Sequence, residues 1–388
     1  MTATAGTDHV AQAAQLAPEL ARRAPEHDRD NTFPAEDYAD LHRAGLLGLR
    51  IPRAQGGADV DDLTYVRVLE ELATGSGATA LTLNMHSSAT ALVARLGSED
   101  QRRRWLRPVT ERGETFASLT SEPNVSLRHV RFGTTARRVP AGWCLDGRKY
   151  FASLAGFARS YLVFAAVAGE EDRSAHRALA LLVRADHPGA RVEPSWDAVG
   201  MRATSSHAVV FQDCLVPAED AVEIDLEREG NVTDLYLIGY GGIFLGLAEA
   251  GYRLAVDYAR TKRFGPDEHT IAHYPNIQRH VAEMTVQLDA MRLLVHRAAE
   301  QAGTAPPAER ARLLLEAKWA GAVAARDVND RALEVVGGAG IARLLPLERF
   351  IRDARAGVVM PPNLDACLDG VGRLALGLDS AAGLFGST

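Results

Sequence analysis

Hydrophobic spacing changes twice along this chain, and that double change limits the folds open to it. From Val10 to Arg112 apolar residues recur at helical spacing, broken by short loops at Pro34, Pro52–Gly57 and Gly75–Gly77. From Thr115 to about Val222 the period is two. Tyr161–Val167, Ala178–Val183 and Ala208–Phe211 are rich in Val, Leu, Phe and Ala and are bounded by turns. From Asp225 to Leu376 helical spacing returns. Ile277, Val281, Met284, Leu288, Met291 and Val295 form one packing stripe, and Ala308–Val336 is a further helix stopped by Gly337–Gly338. The order predicts an α+β chain, mostly α, in three units: helical over 1–114, β over 115–224 and helical over 225–388.

The 388 residues are enough for two or three domains with a large buried core. A net charge of −7 without any block of like charge argues against a nucleic-acid partner. Cys144, Cys214 and Cys367 show no paired spacing, which points away from a disulfide framework or a metal site and toward a reducing cytosol. Met1–Arg22 lacks a basic start followed by an apolar core. The longest uncharged apolar run, Leu235–Ala248, is too short for a bilayer and reads as a buried helix. The expectation is a soluble cytoplasmic protein with no membrane partner.

Two stretches carry the chemistry. Ser118–Pro123 and Gly147–Ser153 are strand ends with hydroxyls and open backbone amides, set between helical blocks. Such a pair makes a cradle for a flat polar cofactor. Taken alone, Ser and Thr at strand ends would simply satisfy turns. The surrounding sequence adds to them. Gly45–Leu49 follows a helix. Gly97–Gln101 holds a capping box, Ser98 with Gln101. Val199–Ser206 runs on to Val216–Pro217, Arg260–Gly265 is basic and ends Phe-Gly, and Glu334–Gly340 precedes Pro346–Arg349 and Arg352–Arg355.

Together these stretches resemble the acyl-CoA dehydrogenase superfamily over nearly the whole chain. The resemblance implies N-terminal helices, a central β-barrel and a C-terminal four-helix bundle holding FAD. Main-chain amides around Thr120, from Leu119 to Ser121, would face the pyrimidine edge of the flavin. Ser153 would bond N5, and Phe151 would lie beside the ring. A donor at N5 and amides at O2 stabilise a reduced, anionic flavin. Lys262 or Arg263 would grip the diphosphate of a neighbouring subunit's cofactor, with Phe264 along it. Gln278 keeps one of two usual glutamines. Glu334, Gly337 and Gly338 would let a neighbouring backbone approach the ADP part. Contacts that cross subunits imply a homo-oligomer, most often a tetramer.

Besides that missing glutamine, where Pro275 stands, the chain departs from the pattern at two places. Asn124–Arg128 replaces the family's glycine-rich continuation of Glu-Pro, with Ser126 as a substitute phosphate contact. Pro361 stands where the family's catalytic glutamate belongs, and Tyr236 stands at the alternative position on the preceding helix. Asp365, Tyr236 and His86 are then the candidates for proton transfer. His86, on an apolar helix, also fits a purely structural role. Two chemistries follow from the resemblance. One is oxidation of an acyl thioester, on CoA or a carrier protein, with hydride transfer to flavin and an electron-transfer partner. The other is a monooxygenase of the same fold, supplied with reduced flavin (FMN or FAD) by a reductase, in which Ser153, His86 and Ser87 would be the donors. A non-catalytic flavin or acyl binder is the least favoured reading.

Overall fold

A computed structural model describes residues 7–122, 132–170, 177–225, 232, 234–265 and 268–378. Ten α-helices and eight strands lie among them. The first helical block is α1 (His9–Asp30), α2 (Ala35–Arg43), α3 (Asp62–Gly75), α4 (Gly77–Leu96) and α5 (Glu99–Arg112). Side-chain caps start four of these helices. Asp8, Asp61, Ser76 and Ser98 each accept a first-turn amide, and Ser98 with Gln101 closes the capping box. After α2, Gly45 (φ 71°) turns the chain into Leu46–Gly48, a short 3₁₀ segment with all three residues buried.

The β block is one sheet. Its strands are β1 (Phe116–Leu119), β2 (Thr135–Val139), β3 (Gly142–Ala152), β4 (Ser160–Val167), β5 (Arg177–Arg184), β6 (Ala190–Glu193), β7 (His207–Pro217) and β8 (Ala221–Asp225). Their order is β6-β7-β3-β2-β4-β5-β8, with β1 pairing in parallel to β4. The long antiparallel β3–β7 ladder slips register between Leu145 and Gly147 and again between Lys149 and Ala152. The second slip re-aims side chains at the end of β3, where the candidate site begins.

The second helical block is α6 (Asp234–Thr261), α7 (Pro275–Gln301), α8 (Pro307–Val336), α9 (Leu347–Val359) and α10 (Leu364–Ala375). Helix α6 is the central strut, packing on α3 and α8. The run Leu235–Ala248 lies inside it and is buried apart from half-exposed Tyr236. Gly246 is required there, because a Cβ would stand 2.1 Å from the Glu70 carbonyl oxygen of α3. On α7 the stripe faces inward as expected: Ile277, Met284, Leu288 and Val295 are buried, with Val281 and Met291 packed beside them. No described helix is long and apolar enough to cross a membrane.

Candidate functional site

Backbone conformation marks the site before any side chain does. Among the described residues seven that are not glycine have positive φ, and four of them fall in two short segments. Phe151 (52°) lies at the end of β3 and Leu154 (68°) just after it, while Met201 (54°) and Ser205 (48°) precede β7. Such conformations cost energy and persist only where the surroundings over-determine them, as at ligand sites. Here the two segments lock together: Leu154 N donates to Thr204 O, Ala155 N to Ser205 O, and the Ser205 hydroxyl to Ala155 O at 2.7 Å.

Three hydroxyls line up inside this junction. Ser153 Oγ is 2.9 Å from Ser206 Oγ, Ser206 Oγ is 2.7 Å from Thr204 Oγ1, and Thr204 Oγ1 donates to the Met201 carbonyl at 2.9 Å. All three side chains are buried. The C-terminal block fixes the far end. Met201 N donates to Asp353 Oδ1 of α9 at 2.6 Å, and Arg352 donates to Val199 O while pairing with Asp28 of α1. Burial pushes the Asp353 carboxyl up to about 6, although the Met201 amide and Arg349 oppose it. Gly200 lets the turn sit this close, since a Cβ would lie 2.2 Å from Arg352 O and 2.9 Å from Asp353 N. Gly200→Ala is expected to cost roughly 3 kcal/mol by pushing two backbones apart. Urea denaturation would check this, and a loss under about 1 kcal/mol would show that the turn is not wedged against α9.

Phe151 stands outward beside these hydroxyls, 66% exposed, with Trp196 packed edge-on at 6.0 Å. The segment just after β1 carries Thr120 and Ser121, whose carbonyls are both spent on β3. Lys149 Nζ donates to Thr120 O at 3.3 Å and Tyr150 N to Ser121 O at 2.8 Å. Lys149 is fully buried and paired with Glu122 Oε1 at 2.5 Å, over the ring of Phe132. Burial pulls the Lys149 ammonium down to about 8 against the pull of Glu122. Glu122 also accepts from Gly133 N and Thr134 N. An exposed aromatic face, a buried hydroxyl beside it and a braced neighbouring strand suit a flat heteroaromatic ring with a polar edge. Thus the residues present fit the flavin that the sequence implies.

The proton-transfer candidates separate. His86 is fully buried and both its nitrogens are bonded within the protein: its Nδ1 accepts from Phe116 N, and its Nε2 donates to Leu47 O, each at 3.0 Å. Burial drives its pKa down to about 4, so the ring stays neutral and both nitrogens are taken. Tyr236 meets Ser118 Oγ at 2.7 Å, and burial raises its hydroxyl to about 12. Asp365 is exposed in the first turn of α10, behind the Asn363 cap. Just before it, Lys318 Nζ, buried, donates to Gly357 O and ties down the end of α9.

The remaining expected residues form a second group at one end of the C-terminal bundle. Lys262 stacks on Phe264, and both Arg263 and Phe264 are exposed. Lys262 O accepts from Ile271 N, and Gln278 Nε2 donates to Ala272 O. Glu334 pairs with His280 at 3.3 Å. Gly337 (φ 67°, ψ −148°) caps α8 in a conformation reserved for glycine, with open space around it and Gly338. Ser126 lies outside the described residues. The cysteines are free, and Cys144 shares the first β3–β7 slip with Asp146 and Asp213, donor atoms within 4.8 Å of one another.

Family models agree with this layout. The acyl-CoA dehydrogenase N-terminal domain matches residues 9–113, the middle domain 117–214 and the C-terminal domain 238–360. The chain is 31% identical over 349 residues to acryloyl-CoA reductase (NADH) of Anaerotignum propionicum, covering 87% of this chain and 85% of that one. Its structure is similar to butyryl-CoA dehydrogenase from Megasphaera elsdenii, with a TM-score of 0.88 and 26% identity over 97% of this chain and 99% of that one. It also shares its fold with dibenzothiophene monooxygenase (TdsC) from Paenibacillus sp. A11-2, with a TM-score of 0.85 and 22% identity over 98% and 100% of the two chains. The chain belongs to the acyl-CoA dehydrogenase family.

Proposed function

We propose that this protein is a flavin-dependent oxidoreductase that binds FAD against Phe151 and Ser153 and oxidises an acyl thioester. The observation that carries the reading is the strained junction of 151–155 with 201–206, which presents one hydroxyl and one aromatic face together. Bound there, FAD supplies a two-electron acceptor for hydride from the substrate. The chain's own groups do the rest. Phe151 and Trp196 exclude water from one side. Ser153 contacts the reacting edge, and the Lys149–Glu122 pair holds the Thr120–Ser121 segment at a set distance. Of the three proton-transfer candidates, Asp365 alone is an exposed carboxylate, so proton abstraction from the substrate falls to it. Tyr236, protonated below about 12, serves as a hydrogen-bond donor.

The second group, Lys262–Phe264 with Gln278, Glu334, Gly337 and Gly338, reaches a neighbouring copy's cofactor tail in this reading. Association of copies is supported by apolar side chains left in water on the C-terminal block. Val286 and Leu293, two turns apart on α7, are 70% and 73% exposed, and Leu344 is 88% exposed. The expected assembly is a homotetramer, checked by analytical ultracentrifugation. A monomer at micromolar concentration would remove the second group from the site.

A monooxygenase using reduced flavin is the second reading. It is favoured by the lack of an acid at Pro361 and Tyr236 and by the fold shared with the Paenibacillus monooxygenase. Anaerobic mixing with short acyl thioesters distinguishes the two. Bleaching of the flavin absorbance, lost in Asp365→Asn, supports the thioester oxidase. No bleaching with any thioester, together with an oxygenated product once a flavin reductase and oxygen are supplied, overturns it in favour of the second reading.

A further inference from the structure

The hydroxyl chain at the site has a direction. Each of Ser153, Ser206 and Thr204 carries one hydroxyl hydrogen, and the chain ends on a carbonyl, which can only accept. Thr204 must therefore donate to Met201 O. Its oxygen then receives the Ser206 hydrogen, and Ser206 oxygen receives the Ser153 hydrogen. Ser153 spends its hydrogen on Ser206 and is left with lone pairs toward the ligand side. Giving that hydrogen away would cost the Ser206 bond. This reverses the donor role that the resemblance implies at N5. Reversing the chain would break the bond to Met201 and strand a buried hydroxyl. The Met201 end is itself held: its amide is bonded to Asp353, and its carbonyl also takes the indole N–H of Trp196 at 3.2 Å.

We propose that this anchored chain makes Ser153 a hydrogen-bond acceptor, so that the site selects reduced flavin, whose N5 carries a hydrogen, over oxidised flavin, whose N5 offers only a lone pair. Ser206 and Thr204 are positioning residues in this scheme, acting through Ser153. The inference rests on the flavin reading above and deepens it. It assigns the site a built-in preference for the state that a reductase, or a substrate giving up hydride, delivers.

The test is the affinity of the whole protein for oxidised and dithionite-reduced FAD, with the midpoint potential of the bound flavin as a second readout. In Ser206→Ala the Ser153 hydrogen loses its acceptor and turns toward the ligand. In Thr204→Val the chain loses its anchor, with the same result. Each variant is expected to lower the reduced-over-oxidised affinity ratio at least tenfold, a fall of about 30 mV for a two-electron couple. Thr204→Ser, which keeps the hydroxyl, should retain the wild-type ratio and remains informative should either larger change prevent folding. A ratio unchanged in Ser206→Ala and Thr204→Val while flavin still binds overturns the acceptor assignment alone. A Thr204→Ser ratio that falls as far as Thr204→Val also overturns it, because packing rather than the hydroxyl would then be responsible. Wild-type protein that binds neither form overturns the flavin reading, and the proposal with it.

Discussion

Replacing Lys149 by Met is expected to cost about 3–5 kcal/mol of folding stability and to leave the protein unable to hold its flavin. The reason lies in what remains. Glu122 keeps a side chain only 3% exposed, with two backbone amides but no counter-charge. An uncompensated buried carboxylate is far worse than no carboxylate. The double variant Lys149→Met with Glu122→Gln should therefore recover much of the loss, a coupling that only paired residues show. The functional part follows from position. Lys149 also holds Thr120 O, and its neighbour Tyr150 holds Ser121 O, so the pair sets the gap between the Thr120–Ser121 segment and Ser153. Urea denaturation of the two single variants and the double variant measures the first claim, and flavin retained through gel filtration measures the second. Single-variant losses below about 1 kcal/mol that simply add in the double would show the pair to be energetically idle.

Features set by neighbours in sequence were legible, and features set across the β3–β7 ladder were not. The capping box at Ser98–Gln101, the stripe on α7 and the glycine stop at Gly337 each follow from contacts within a few residues. Both halves of the Lys149–Glu122 pair lie inside the stretches that the sequence singled out, yet nothing marks them as partners. Strand alternation would put Lys149 on the same face as exposed Phe151, and the register slip between Lys149 and Ala152 breaks that rule. The hydroxyl chain is hidden for the same reason: Ser153 and Ser206 are 53 positions apart and meet through an irregular pairing. Met201 and Ser205 give no warning of their left-handed backbone, because neither is a residue that favours it. For His86 the sequence left a catalytic and a structural role both open. Helix α4 is buried on nearly every side, and that continuous burial, rather than the residue type, was the signal for a structural histidine.

Asp353→Asn should stabilise the protein at neutral pH. Burial raises the folded-state pKa of this carboxyl from 3.8 to about 6, so between those values the folded protein holds a proton that the unfolded chain releases. Its stabilising contribution is complete below about 4 and is lost as pH rises through 6, where a charge must form inside the protein. An asparagine keeps an acceptor for the Met201 amide without ever ionising. The variant is expected to exceed wild type by about 3 kcal/mol near pH 8, and by about half that at pH 5, at 1.36 kcal/mol per pKa unit. Urea denaturation at the two pH values reads the difference directly, and other titrating groups cancel because both proteins share them. The opposite outcome is equally informative. A variant weaker than wild type at pH 8 would mean that the Asp353 charge is stabilised rather than penalised, held by Arg349, the buried arginine one turn before it on α9. In that case the Met201 carbonyl, and with it the polarity of the Ser153 chain, would depend on an ion pair between two residues of one helix rather than on the Met201 amide bond alone. The sign of this single difference therefore decides what holds the inner end of the site in place.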